Sequence, residues 1–291
     1  DHTFRIASNT KTYVAAAVLR LAEQGKLSLD DPLAAHLTPE QKVLLAGDGY
    51  DLEAMTLRQV LSHTSGLFEH PRDPRYEEAV LADPQRVWTA EEQIRLTVEW
   101  GDPVGAPGEK FSYSDAGYII LGTIIERTAG KNLGAAVREL VGYEALGLTC
   151  TWWELLEAAP AAAGPRAHQY FADEDATSWH PSLDLYGGGG LLTDVRDLAR
   201  FTRELLKGKV LQQETSLAAL TGSGPADYRL GLSCAELGGF LGWGHGGFWN
   251  TFVFHVPALD LTLSGCVLNH HAAKGQVLAG RLVQQVAEFG K

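Results

Sequence analysis

Ser8 and Lys11 stand three residues apart, a spacing that puts both on one face of a helix, one turn from each other. A serine hydroxyl is a poor nucleophile at neutral pH, and a nearby amine can take its proton once burial or another cation lowers the amine's pKa. The chemistry would be acyl transfer with the serine carrying the acyl group. A helix N-terminus adds backbone N–H groups and the positive end of a dipole, which suit a developing oxyanion. A serine N-cap followed by a lysine on a solvated face has the same spacing, so both readings stand at this level. Tyr113 precedes a helical stretch, where a phenol can share the base role or pass a proton to the leaving group; a buried aromatic is its plainer reading. Asp115 is either part of the same site or an N-cap for the following helix. In Gly244-His245-Gly246-Gly247-Phe248 the glycines weaken a strand unless another backbone or a ligand approaches closely. That makes His245, Gly246, Gly247 and Phe248 candidates, with a satisfied or surface histidine as the alternative.

These residues need elements to position them. Val14, Val18 and Leu21, with Ala15 and Ala17 between them, predict a helix over 12–21 stopped by Gly25, which leaves Ser8 at or near its N-terminus. Helical patterns recur over 55–61, 90–100, 117–129, 133–141, 151–159 and 194–206, and Pro32 can open a short one. Residues 69–84 are charged and proline-punctuated and read as a loop. The character changes near Leu230: 230–237, 240–248, 251–256 and 261–268 are short β-branched or aromatic runs that predict an antiparallel meander. A last helix over 277–289 is placed to cover one sheet face. The Gly187 to Gly190 run lacks the Gly-Lys-Ser/Thr of a phosphate loop and reads as a tight turn or a pocket wall.

Composition removes several classes of function. The 291 residues carry 24 basic and 36 acidic side chains, a net charge of −12 with no Lys/Arg-rich run, which argues against nucleic acid or an anionic membrane as partner. No uninterrupted apolar span reaches the ~18 residues of a transmembrane helix. Cys150, Cys234 and Cys266 are odd in number and far apart, so neither a disulfide framework nor a thiolate metal site is indicated. His270 and His271 are adjacent, a spacing that does not put both on one helix face for a metal. No Gly-x-Ser-x-Gly elbow occurs, and Gly231-Leu232-Ser233-Cys234-Ala235 is a degenerate imitation in a predicted strand.

Taken in order, the motifs resemble those of the serine beta-lactamase and penicillin-binding-protein-like superfamily, in the branch of class C beta-lactamases, D-alanyl-D-alanine carboxypeptidases, D-aminopeptidases and beta-lactamase-like esterases. Phe4-Arg5-Ile6-Ala7-Ser8-Asn9-Thr10-Lys11 resembles the first motif, Tyr113-Ser114-Asp115 the Tyr-x-Asn second, and His245-Gly246-Gly247 stands where the third, Lys-Thr-Gly or His-Thr-Gly, is found. Leu61-Ser62-His63-Thr64-Ser65-Gly66-Leu67 and Gly189-Gly190-Leu191 are similar in the flanks. The resemblance implies an α+β fold, an antiparallel sheet flanked by helices with a mostly helical subdomain. It implies one catalytic domain over 1–291, with an α/β part at about 1–30 and 190–291 and a helical part at about 31–189. By the same resemblance Ser8 is the acylated nucleophile, Lys11 its activating partner and Tyr113 the proton shuttle. The N–H groups of Ser8 and Phe248 form the oxyanion hole, and neither metal nor cofactor is needed.

Three departures shape the expected activity. Asp115 replaces the usual Asn, exchanging an amide donor for a carboxylate that holds Lys11 protonated. His245-Gly246-Gly247 lacks the cation and hydroxyl that help bind a penicillin carboxylate. Hydrolysis of small esters, amides or D-amino-acid peptides is therefore expected over beta-lactamase action. A non-catalytic relative that keeps the pocket for ligand binding or assembly is the alternative. The family has strands before its first motif, whereas Asp1 stands almost at it. The expectation is that an upstream segment is absent and that the strand over 261–268 is left as an open edge, through which the chain associates with itself.

Overall fold

A computed structural model of the chain describes residues 2–222 and 227–289. Its helices are α1 (Thr10–Glu23), α2 (Pro39–Gly47), α3 (Leu57–Leu61), α4 (Pro74–Ala82), α5 (Ala90–Trp100), α6 (Asp115–Ala129), α7 (Leu133–Val141), α8 (Tyr143–Leu146), α9 (Val195–Leu206), α10 (Glu214–Thr221) and α11 (Gly275–Phe289). Its strands are β1 (Phe4–Arg5), β2 (Trp152–Trp153), β3 (Tyr170–Phe171), β4 (Glu174–Asp175), β5 (Leu191–Thr193), β6 (Ser233–Leu237), β7 (Phe240–Gly247), β8 (Thr251–Val256) and β9 (Leu261–Cys266). The fold is α+β, with antiparallel sheets flanked by helices, as the resemblance implied.

Strands β6 to β9 form the expected meander, in sequence order and antiparallel throughout. Strand β8 is buried along its whole length because both of its faces are covered. Phe252, Phe254 and Val256 pack with Ala279 and Val283 of α11, while Val253 joins the main core with α1. Helix α1 runs through that core. Its Ala15, Ala16 and Ala17 are fully buried, and such small side chains let neighbouring backbones come close. Strands β1, β5 and β2 make a second small sheet that fixes the entry to α1, with Phe4 opposite Thr193 and Trp153 opposite Leu191.

Local chemistry sets the helix ends. Thr38 with Gln41 and Thr56 with Gln59 form capping boxes at α2 and α3, and Gly130 ends α6 at φ +65°. Two expectations fail. The loop expected over 69–84 contains α4, nucleated by the Asp73 cap with Pro74 in the first turn and anchored by buried Tyr76 and Val80 one turn apart. The helix expected over 151–159 is instead β2 and a turn: Trp153 pairs into the small sheet, and Leu155 at φ +65° breaks any helix. Helices α2 and α10 were not anticipated. Strand β9 is the outer strand of the meander. Among the described residues it pairs with β8 alone, and all six of its residues are half-buried. No helix of the described residues is long and apolar enough to cross a membrane.

One close approach links this framework to the site. A Cβ built on Gly122 of α6 would lie 2.1 Å from the carbonyl oxygen of Tyr186, so the bare glycine lets the turn at residues 186–190 settle on the helix. In an unconstrained helix Gly→Ala stabilises by roughly 1 kcal/mol. Here Gly122→Ala is expected to destabilise by about 1–3 kcal/mol, the cost of overpacking. Urea denaturation checks the sign, and a stabilised variant contradicts the contact.

Candidate active site

The site is assembled from β1 inward. Strand β1 leads to Ile6, whose N–H donates to the Leu191 carbonyl (3.1 Å), and then to a single 3-10 turn over Ala7–Asn9 that carries Ser8. Ala7 sits at φ +46°, a backbone conformation that costs a non-glycine residue roughly 1–3 kcal/mol and persists only where its surroundings hold it. Asn9 and Thr251 supply that hold. Asn9 Nδ2 donates to the Ile6 carbonyl (2.8 Å) and to Thr251 Oγ1 (2.9 Å), and Thr251 Oγ1 donates to the same carbonyl (2.9 Å). The turn is thereby fastened to the start of β8. A Cβ on Gly247 would lie 2.3 Å from the Ile6 carbonyl oxygen, so the glycine is what lets β7 come against the serine turn. Gly246 has no such neighbour, since its Cβ would meet only the Thr251 carbonyl at 3.8 Å.

Lys11 follows one turn into α1 and is fully buried. An ammonium has three N–H donors, and here three acceptors receive them: Ser8 Oγ at 3.0 Å, the Gly188 carbonyl at 2.6 Å, and the Asp115 carboxylate in a short ion pair. Burial alone would push the Lys11 pKa down, but the charge of Asp115 and the proximity of Tyr113 more than reverse this, and it stands above its ordinary value. Tyr113 lies alongside, its ring centre 5.0 Å from Lys11 Nζ. Burial drives the phenol's pKa up, while the Lys11 charge and hydrogen bonding with Lys11 and Ser8 offset part of the rise. In the resting site Lys11 is therefore an ammonium and Tyr113 a neutral phenol.

Around this centre lie residues that the sequence did not announce. Glu69, itself buried, accepts the backbone N–H of Asp115 at the start of α6. Burial and the Asp115 charge raise its pKa well above the usual carboxylate range. His63 packs its ring 4.1 Å from that of Tyr113 and accepts the Ser114 N–H at 3.1 Å through Nδ1. Burial first, and the Lys11 charge second, hold His63 neutral. Gly188 belongs to the glycine run read as a turn or pocket wall, and it is both: it lines the cavity beside Ser8 and supplies a carbonyl to Lys11.

The cavity has a volume of about 120 Å³ and brings together Ser8, Asp115 and Phe248 with the apolar side chains of Tyr76, Val80, Ile119, Phe171, Trp179 and Leu185. His245 does not line this cavity. Its Nδ1–H donates to the Gly246 carbonyl (2.6 Å) and its Nε2 accepts the Tyr228 hydroxyl (3.0 Å), with its ring 6.4 Å from that of Tyr113. Burial, helped by the Lys11 charge, pushes its pKa down to about 4, so it is neutral near pH 7. The arrangement can present an oriented serine hydroxyl, with a cation at its back, to an apolar substrate held in the cavity.

A family model described as Beta-lactamase matches residues 1–287 of the chain. Protein flp of Staphylococcus aureus (strain COL) is 36% identical over 129 residues, 44% of this chain and 24% of flp. Esterase EstB of Burkholderia gladioli is 37% identical over 147 residues, 48% of this chain and 36% of the esterase. The chain thus spans about a quarter to a third of the length of these relatives. Among solved structures, a D-stereospecific amidohydrolase from Streptomyces sp. superposes with a TM-score of 0.83 at 27% identity, covering 96% of this chain and 86% of that one.

The buried ion pair makes an asymmetric prediction. Asp115→Ala strands a fully buried ammonium and is expected to cost about 3–5 kcal/mol, whereas Lys11→Met leaves a carboxylate with some access to water and is expected to cost less. Paired urea denaturation curves read the difference; equal losses would show that the pair does not carry the stability assigned to it.

Proposed function

This chain belongs to the Beta-lactamase family, and on that premise we propose that it is a serine hydrolase that works through an acyl-enzyme on small esters and amides. Ser8 Oγ attacks the substrate carbonyl and expels the alcohol or amine, and water then releases the acid. The observation that carries the reading is the 3.0 Å contact between buried Lys11 Nζ and Ser8 Oγ at the wall of an apolar cavity. Backbone N–H groups of Ser8 and Phe248 stabilise the oxyanion, a contribution typically worth about 2.7–4 kcal/mol per donor. Tyr113 and Lys11 move protons between Ser8 and the leaving group. The ester class is supported by the likeness to an esterase, the amide class by the likeness to an amidohydrolase of D-stereospecific type. Beta-lactam turnover is weak or absent in this reading, since His245 is tied to Tyr228 and neutral near pH 7, offering no cation to a penicillin carboxylate.

Because Lys11 and Tyr113 are both protonated at rest, a proton must leave this group before Ser8 is activated. Their pKa values are both raised, and rising pH favours that loss. Acylation of Ser8 by a serine-directed ester or phosphonate probe is therefore expected to accelerate from pH 7 into the alkaline range. Asp115→Asn removes the anion that stabilises the Lys11 charge, lowers the Lys11 pKa, and should move the profile toward lower pH. Stopped-flow or mass-spectrometric labelling measures both. Labelling at a site other than Ser8, or unchanged turnover in Ser8→Ala, overturns the hydrolase reading.

A further inference from the structure

Of Ser8, Lys11 and Tyr113, the last is carried by no helix or strand. Ser8 sits in the turn that leads into α1 and Lys11 in α1 itself, whereas Tyr113 lies in the irregular stretch between α5 and α6. Its place is set by contacts with the segment that follows α3, and His63 makes three of them. The Ser112 N–H donates to the His63 carbonyl (2.7 Å), the Ser114 N–H donates to His63 Nδ1 (3.1 Å), and the imidazole ring lies 4.1 Å from the Tyr113 ring. One residue thus holds the backbone on both sides of Tyr113 and packs on its side chain.

Histidine is an unusual choice for that position. The chain leaves α3 through paired bonds, His63 N–H to the Val60 carbonyl (3.3 Å) and Thr64 N–H to the Gln59 carbonyl (2.8 Å), with Ser62 as the C-cap and His63 left-handed at φ +56°. A helix ending of this kind usually takes glycine, sometimes asparagine, at the left-handed residue, because other side chains are strained there. His63 is also buried. Since its Nδ1 is an acceptor, Nε2 carries the proton of the neutral ring, and it has no partner among the described residues. A buried N–H without an acceptor costs free energy. Core filling calls for neither the strain nor the orphaned donor, and backbone outliers gather where a site depends on them.

We propose that His63 is a positioning residue for Tyr113, holding the phenol in register with Ser8 and Lys11 so that it can pass the proton during acylation. This rests on the serine-hydrolase reading of the same site. The bonds that follow along the chain do other work: Ser114 Oγ donates to the Phe68 carbonyl (3.2 Å) and the Asp115 N–H to the Glu69 carboxylate, which fixes where α6 starts without touching the Tyr113 ring. The imidazole does touch it. Among the ring neighbours of Tyr113 it is nearer than Tyr228 at 6.1 Å and His245 at 6.4 Å. A placed acid or base contributes roughly 10²–10⁴-fold to a rate, and displacement by about 1 Å forfeits much of that.

The test follows the rate at which a small phosphonate ester labels Ser8, read by mass spectrometry on the whole chain, in a double-mutant cycle with Tyr113→Phe. His63→Gly and His63→Asn both suit the left-handed backbone, and Asn offers an amide oxygen near the place of Nδ1. Gly is expected to slow labelling about 30-fold and Asn about fivefold, each by displacing the phenol. In the Tyr113→Phe background both factors should shrink to about twofold or less. A role confined to stability gives the same factor in both backgrounds, and that result, or undiminished labelling in His63→Gly, overturns the proposal. If His63→Gly does not fold, His63→Asn decides by the same comparison: a loss confined to chains that keep the phenol supports it, and no loss, or an equal loss in both backgrounds, overturns it. An unaltered chain that is not labelled at Ser8 overturns the hydrolase reading and this proposal with it, an outcome distinct from labelling that is indifferent to His63.

Discussion

Everything in the site depends on keeping one ammonium, Lys11, out of water and fully hydrogen-bonded. A buried cation is tolerated only when its partners replace the hydration shell it has lost. Each partner comes from a different part of the chain: a hydroxyl from the preceding turn, a carbonyl from the glycine run near residue 188, and a carboxylate from the start of α6. The geometry of the nucleophile is therefore a by-product of solving an electrostatic problem. Whatever disturbs one partner disturbs the other two.

The sequence made the linear part of this arrangement legible. Helices over 90–100 and 133–141 and the strand over 251–256 coincide with α5, α7 and β8, because each has a clean apolar period and strong end signals. The three motifs also led to Ser8, Lys11, Tyr113 and Asp115, which the fold brings together. What escaped was set by long-range packing. Nothing local distinguishes Glu69 from a surface acid until the first turn of α6 is laid over it. The stretch at Trp152 has a helical look, yet pairing with β5 overrides that preference.

His245 illustrates how a residue can sit on the right strand and still face elsewhere. Two residues along β7 from Gly247, which meets the serine turn, His245 packs against Tyr228 and the ring of Tyr113. Its role in the observed structure is to brace that aromatic layer. A cation-bearing side chain at this position is what penicillin recognition would call for.

The contact between Gly247 and the Ile6 carbonyl joins two stretches of backbone far apart in the sequence. During synthesis, the serine turn leaves the ribosome long before its clamp exists, because Thr251 follows Ile6 by 245 residues. A nascent chain therefore carries the Ser8 hydroxyl on a turn that β7 and β8 have not yet fastened. Premature termination anywhere upstream of that hairpin yields a product whose serine turn has nothing to hold it in place.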